Sequence, residues 1–253
     1  MTSFFLIPHA RFFLFLLIPF LLECLLLAFN VQDRQDWALE NVLVLVALLV
    51  LIATYRKFPL SRISYLLIFI FLALHEIGAH YTYAEVPYDQ WFISLTGNSF
   101  NAAVGWERNN FDRIIHFSYG LFIAYPMREV YLRIANAEGF WGYFLPLDFT
   151  MSTSMMFELF EWAAAEIFGG ELGVAYLGTQ GDVWDAHKDM ALASLGALIA
   201  LLVTLAINRS IQRDFNREWV NSLKVKRVLP LGEDEIIRLL KEKRNPLKSD
   251  LDR

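Results

Sequence analysis

Residues 183–207 read VWDAHKDMALASLGALIALLVTLAI, an apolar run in which every charged residue precedes Met190. A helix needs about 20 predominantly apolar residues to cross a bilayer, and this run is long enough. Only helices and closed barrels satisfy all of their backbone hydrogen bonds in lipid. The apolar residues are continuous and do not alternate with polar ones, which excludes a barrel and predicts a membrane-spanning helix.

Five further runs along the chain have the same character. The 253 residues are 56% hydrophobic with a mean hydropathy of +0.39, which is too apolar for an ordinary soluble domain. Arg11 precedes the first run and no small-residue cleavage site follows it, which favours an uncleaved span over a signal peptide. We therefore predict an all-α, polytopic membrane protein, a bundle of six transmembrane helices at residues 11–29, 37–54, 61–82, 111–131, 140–168 and 183–207.

The placement of Lys and Arg in short loops predicts the orientation, because such loops are retained in the cytoplasm. The connections on the other side of the membrane are acidic or lack cations. Both termini are therefore expected in the cytoplasm. The basic residues that decide this lie between spans two and three, between spans four and five, and after span six: Arg56, Lys57, Arg62, Arg128, Arg133, Arg209, Arg213 and Arg217.

Two regions outside the spans complete the predicted organisation. Residues 1–207 form the transmembrane domain, and residues 208–253 form a basic, partly helical cytoplasmic tail suited to anionic lipid. In the tail a helix is expected from Glu233, because acidic residues open the segment and basic residues close it. The stretch from Tyr83 to Asn110 is expected to be an extramembrane loop with interfacial aromatic residues.

Acidic and imidazole side chains gather where this topology places the outer ends of four spans. An ionisable group at the centre of a spanning helix costs about 2.5–3.5 kcal/mol, so such groups usually mark function. Asp112 and His116 are about 40° apart on a helix and share one face, whereas His75 lies about 100° from Glu76. The predicted cluster comprises His75, Glu76, His80, Asp112, His116, Glu158, Glu161, Asp182, Asp185 and Asp189.

This mixture of side chains predicts a divalent metal site. Closely packed carboxylates repel each other and take up protons unless a cation neutralises them. Imidazole together with carboxylate suits zinc, iron or manganese. We expect Glu158 or Glu161 to act as a general base. The predicted ligands are His80, His116, Asp185 and Asp189 in the first place, and then Asp112, Asp182, Glu76 and His75.

Three functions are compatible with such a cluster. The first is a metal-dependent enzyme facing outwards, in which metal-bound water attacks a lipid or lipid-linked head group. The second is a proton-coupled transporter, although six spans with no inverted repeat do not favour it. The third is a structural or assembly protein whose polar network joins helices, with Gly120, Ala193, Ser194 and Gly196 as close-packing contacts. The bilayer is the expected partner, and nothing resembles a nucleic-acid-binding pattern.

Four motifs resemble one known family. They are HEIGAHYTY at 75–83, DRIIHF at 112–117, ELFEW at 158–162 and GDVWDAHKDM at 181–190. Together they resemble the YjdF-like bacterial inner-membrane family, whose function is undefined. A weaker similarity, carried by DRIIHF, connects the chain to VanZ-like proteins, although Asp189 stands where those proteins usually have Asn. The resemblance implies a multi-pass inner-membrane topology and supports the site, and it implies no particular activity.

Overall fold

The computed structural model describes residues 8–170, 173, 179–226 and 232–244, and these residues form helices joined by turns, with no strand among them. Short connections separate the long helices, except at residues 81–110 and at residues 169–184. The ten helices of the described residues are α1 His9–Leu27, α2 Arg34–Thr54, α3 Arg62–His80, α4 Tyr88–Thr96, α5 Phe100–Val104, α6 Phe111–Ile134, α7 Trp141–Phe168, α8 Asp185–Ile211, α9 Phe215–Ser222 and α10 Glu233–Arg244.

Each predicted span coincides with one long helix whose ends lie within a few residues of the prediction. Four of these helices, α1, α2, α3 and α8, are long and apolar enough to cross a membrane by length and composition. The other two, α6 and α7, carry more charged and polar side chains. The helix expected from Glu233 is also present, as α10. The all-helical membrane fold is thus confirmed.

The segment from Tyr83 to Asn110 departs from the prediction of a loop, because it contains α4 and α5. Both helices end at a glycine with positive φ, 77° at Gly97 and 74° at Gly105, a conformation that glycine adopts without strain. The carboxylate of Asp89 in α4 accepts a 2.9 Å hydrogen bond from the backbone N–H of residue 101, at the start of α5. These local interactions fold a stretch whose polar composition gives no helical periodicity.

Helix α6 is central to the bundle and packs against α3, α7 and α8. Small residues let α6 and α8 approach closely, since a Cβ atom built on Gly120 would lie 1.8 Å from the carbonyl oxygen of Ala193. One built on Gly196 would lie 2.2 Å from the carbonyl oxygen of Phe117. The predicted close-packing contact is confirmed at Gly120, Ala193 and Gly196. It places the first turns of α6 and α8 side by side.

The opposite end of the bundle is fixed by hydrogen bonds between helix ends. The carboxylate of Glu129 in α6 accepts from the backbone N–H of Ser61 at 2.9 Å and from the hydroxyl of Ser64 at 2.6 Å. The backbone N–H of Gly139 donates to the carboxylate of Glu218 at 2.9 Å. Helix α9 is thereby attached to the turn between α6 and α7, and the first part of the tail packs on the bundle.

Aromatic residues join α1 to α3, and apolar residues face outwards. Phe13 is fully buried, with its ring centroid 5.2 Å from that of Tyr65 and 5.8 Å from that of Phe69. On the outer side, large side chains such as Ile18 of α1 and Val46 of α2 are exposed. A continuous apolar outer surface of this kind is stable in lipid, where no water has to cover it.

Candidate functional site

Three ionisable side chains of α6 and α8 have the spacing of metal ligands in the described part of the chain. One ligand atom from each of Asp112, His116 and Asp189 lies within 4.8 Å of the other two. Glu158 of α7 joins this group, since its Oε1 lies 3.5 Å from His116 Nε2, the same distance as Asp112 Oδ1. We call these four residues the acidic centre.

Two buried carboxylate oxygens of the acidic centre have no hydrogen-bond partner among the described residues. Asp189 is only 2% exposed, and its Oδ1 has no hydrogen-bond partner among the described residues. Oε1 of Glu158 is buried in the same way, with His116 beyond ordinary hydrogen-bond length. A buried carboxylate oxygen without a partner is costly, so such a site attracts a cation or a proton.

The helices explain why these residues meet. Asp112 and His116 occupy the first turns of α6 at spacing i, i+4, which places both side chains on one face. Asp189 follows one turn after the start of α8, and the close contact at Gly120 brings that turn against α6. Glu158 reaches the same place from α7, which lies against both helices. The predicted convergence of α6, α7 and α8 is therefore present.

Two of the predicted ligands bind arginines. Asp185 is buried and forms ion pairs with Arg108 and with Arg113, the latter at 3.0 Å. Asp182 pairs with Arg113 and with Lys188. The Lys188 ammonium, helped by the backbone N–H of residue 184, holds the pKa of Asp182 below its usual range. These carboxylates are already paired with cations, and they hold the start of α8 against Arg113 in the first turn of α6 and Arg108 before it.

Helix α3 delivers His75 to the site and turns two predicted ligands away from it. The Nδ1 atom of His80 lies 2.7 Å from the carbonyl oxygen of Leu27, at the end of α1. Glu76 is buried on the same side, beside Cys24 of α1. His80 and Glu76 share a face of α3 as predicted, but that face points to α1 and not to α6. His75, about 100° away on the helix, lies on the other side.

His75 is held between two partners. Its Nε2 lies 3.2 Å from the carbonyl oxygen of Glu40, and its Nδ1 is bonded to the hydroxyl of Tyr83. A carbonyl oxygen can only accept, so Nε2 carries the proton of a neutral His75 and Nδ1 accepts from the Tyr83 hydroxyl. Tyr83 has a φ of 46°, and its ring leaves space for no side chain at Gly78, where a Cβ atom would lie 2.7 Å away.

A cavity of about 400 Å³ joins these groups. Among its lining residues are Asp112, His116, His75 and Glu161, which were predicted, and Asp36 and Glu40 of α2, which were not. The second span was predicted to begin at residue 37, which left Asp36 in the loop before it. The signal was present, because Asp36 and Glu40 have the i, i+4 spacing used to group Asp112 with His116. Tyr83 and Tyr119 also line the cavity and carried no such signal.

Comparison with known proteins gives two matches. Residues 12–210 match a family described as "Predicted membrane protein (DUF2238)". Over 174 residues the chain is 35% identical to the inner membrane protein YjdF of Escherichia coli (strain K12). The matched region is 68% of this chain and 79% of that protein. No solved structure matches the chain significantly.

Proposed function

The chain belongs to the DUF2238 family of predicted membrane proteins, and on that premise we propose that this multi-pass inner-membrane protein is a metal-dependent enzyme. Its divalent ion would be held by the acidic centre, with Asp112, His116 and Asp189 as ligands and Glu158 beside them. The substrate would be a lipid or lipid-linked head group. The chemistry of the donor set and the cavity that Asp112 and His116 line support this proposal.

The observation that carries the proposal is the unpartnered oxygen of Asp189 within a set of metal-ligand spacing. Three carboxylates and one imidazole lie together, and the neighbouring arginines are taken by Asp182 and Asp185. Like charges at this distance disfavour the ionised state unless a cation is present. Nitrogen and oxygen donors without sulfur suit zinc, manganese or iron.

The remaining residues have distinct parts in this proposal. A bound divalent ion would lower the pKa of a coordinated water and polarise a head-group oxygen. Glu161, buried beside Glu158 and lining the cavity, would accept a proton from the attacking water. Asp185 with its two arginines would position α8, and with it Asp189.

The proposed orientation places the acidic centre at the outer face, with all six long helices crossing the bilayer. In support, Arg56 and Lys57 between α2 and α3, Arg128 and Arg133 in the last turns of α6, and the basic residues after α8 lie at the end of the bundle away from the acidic centre. Residues 208–253 would form the cytoplasmic tail, and both termini would be cytoplasmic. The substrate would therefore be reached from the outer leaflet or the periplasm.

A structural or assembly role is the second candidate, favoured by one observation. Arg113 of α6 binds both Asp182 and Asp185 at the start of α8, so ion pairs join these helices without any metal. If the polar groups serve only this purpose, neutralising any of them changes stability alone. A proton-coupled transporter would use the same carboxylates, and a proteoliposome flux assay tests that role separately.

Metal content measured by mass spectrometry on gently purified protein tests the proposal. We expect a near-stoichiometric divalent metal in the natural protein, and its loss in His116→Ala and in Asp189→Asn. His187→Ala is the matched control, because His187 lies on the same turn of α8 as Asp189 and is exposed. Each variant must elute from size-exclusion chromatography as a single folded species before its metal content is compared. Folded natural protein that takes up no divalent metal, even after incubation with zinc, manganese and iron salts, would refute the proposal.

A further inference from the structure

A second polar group lies in the cavity outside the acidic centre. Asp36 and Glu40 of α2 are both buried, and Glu40 is only 4% exposed. Oε2 of Glu40 has no hydrogen-bond partner among the described residues. His75 Nε2 lies 3.8 Å from this oxygen, and it already interacts with the backbone carbonyl of Glu40 at 3.2 Å. A buried oxygen of this kind needs a cationic or hydrogen-bond-donating ligand. We call Asp36 and Glu40 the α2 acid pair.

The spacing of the α2 acid pair does not favour a second metal ion. Within the described ranges, the one group with metal-ligand spacing is Asp112, His116 and Asp189, and neither residue of the pair belongs to it. No Lys or Arg is present among the described residues that line the cavity. A cation that carries its own hydrogen-bond donors would satisfy separated carboxylates, whereas a small divalent ion demands ligands at fixed short distances. An ammonium group has these properties.

One side of the cavity wall is apolar and partly open to the lipid side. Leu43 and Val46 line it although they are 38% and 56% exposed on α2, so the wall continues onto the outer surface of the bundle. Phe71, Phe149 and Phe157 also line it, and aromatic rings attract organic cations. At about 400 Å³ the cavity lies at the low end of the roughly 300–1,000 Å³ of ligand sites. It accommodates a head group and the first part of one chain.

We propose that the cavity binds a single-chain amphiphilic amine, which enters from the bilayer beside α2, places its ammonium group at Asp36 and Glu40, and leaves the end of its chain among Leu43, Val46 and the lipid. Binding requires no metal ion. That the amine is the substrate of the reaction rests on the proposed function, since the acidic centre borders the same cavity through Asp112 and His116.

Binding of n-octylammonium to the full chain in phosphatidylcholine nanodiscs tests this inference. The affinity is measured by the shift of the thermal unfolding midpoint with ligand concentration. The matched ligands are 1-octanol, which has the same chain without charge, and octanoate, which has the opposite charge. We expect octylammonium to bind about tenfold more tightly than octanol, the order expected for one charge-assisted hydrogen bond. Equal binding of the two would overturn the proposal.

Substitutions assign the binding to the α2 acid pair. Glu40→Gln keeps the shape and is expected to weaken octylammonium binding about tenfold while leaving octanol binding unchanged. Glu107→Gln is the control, because Glu107 is an exposed carboxylate outside the cavity lining. Octylammonium affinity that stays unchanged in folded Glu40→Gln would overturn the proposal. If Glu40→Gln does not fold, Asp36→Asn provides the same test at the neighbouring carboxylate.

The two proposals fail separately. Asp189→Asn, whose side chain does not line the cavity, is expected to lose metal and to keep octylammonium binding. Glu40→Gln is expected to keep metal and to weaken octylammonium binding about tenfold. A natural protein that binds metal but does not distinguish octylammonium from octanol would leave the metal site standing and refute the amine site. Competition of phosphatidylethanolamine with octylammonium would show that a two-chain lipid occupies the cavity, and it would overturn the assignment to a single-chain amine.

Discussion

Replacing Gly120 by alanine should separate α6 from α8 and weaken both the bundle and the acidic centre. The new Cβ atom would lie 1.8 Å from the carbonyl oxygen of Ala193 and 2.6 Å from the backbone N of Ala197, where ordinary contacts begin at 3.4 Å. Both contacts are with backbone, so no side-chain movement relieves them. Overpacking costs about 1–3 kcal/mol, and the better helix propensity of alanine returns about 1 kcal/mol. Because a 1.8 Å approach to backbone lies at the severe end of overpacking, we expect a net loss of about 2 kcal/mol in the free energy of unfolding.

Metal content distinguishes this mechanism from a general loss of stability. Asp112 and His116 lie on α6 and Asp189 on α8, and their ligand atoms lie within 4.8 Å of one another. Separating the two helices would move the Asp189 carboxylate away from the other two ligands. The assay is denaturant unfolding combined with metal stoichiometry at a temperature where the variant is folded. Ala191→Val, which adds bulk at an exposed position of α8, serves as the control. Unchanged stability and full metal content in Gly120→Ala would refute the close approach of the two helices.

Three further predictions concern the surroundings of the site. Arg113→Leu should reduce the free energy of unfolding by about 1.5–3 kcal/mol, because the buried Asp185 loses a charged hydrogen bond; denaturant unfolding measures it, and no change would contradict the ion pair. Gly78→Ala should displace Tyr83 and increase the tyrosine's exposure to chemical modification, which mass spectrometry detects; unaltered modification would contradict the contact. The folded-state pKa of Asp182 is depressed, so its stabilising contribution is present above its ordinary pKa of about 3.9 and is lost as the pH falls through the folded value. Asp182→Asn should therefore flatten the acid limb of a stability–pH profile, and identical profiles would contradict the pairing.

The long helices were predictable because membrane insertion depends on one-dimensional properties of the sequence. A continuous apolar run of sufficient length has few other solutions in lipid, and each predicted span coincides with a helix. The short helices α4 and α5 were not predictable in this way. They depend on hydrogen bonds such as that from residue 101 to Asp89, within a polar segment that has no apolar periodicity.

The site was predictable in location and less so in membership. Helix geometry correctly grouped Asp112 with His116, but it could not decide which face of α3 points inwards. That choice depends on packing against α1, and it brought His75 to the cavity in place of His80. The ion pair of Arg113 with Asp185 connects residues 72 positions apart, so its formation is a property of the folded bundle. Local spacing carries no information on it.

The parallel arrangement of α6 and α8 has a consequence for biogenesis. With all six long helices crossing the bilayer, as proposed above, Asp112 and His116 would enter it with α6, whereas Asp189 and the Asp185 partner of Arg113 are synthesised only after α7 is complete. Until the last long helix arrives, the earlier helices hold ionisable groups without their final partners, an expensive state in lipid. A ribosome-arrested chain that ends before α8 should therefore be more sensitive to protease than one that ends after it. The unpaired ionisable groups of α6 would thus distinguish a chain that lacks α8 from the complete bundle.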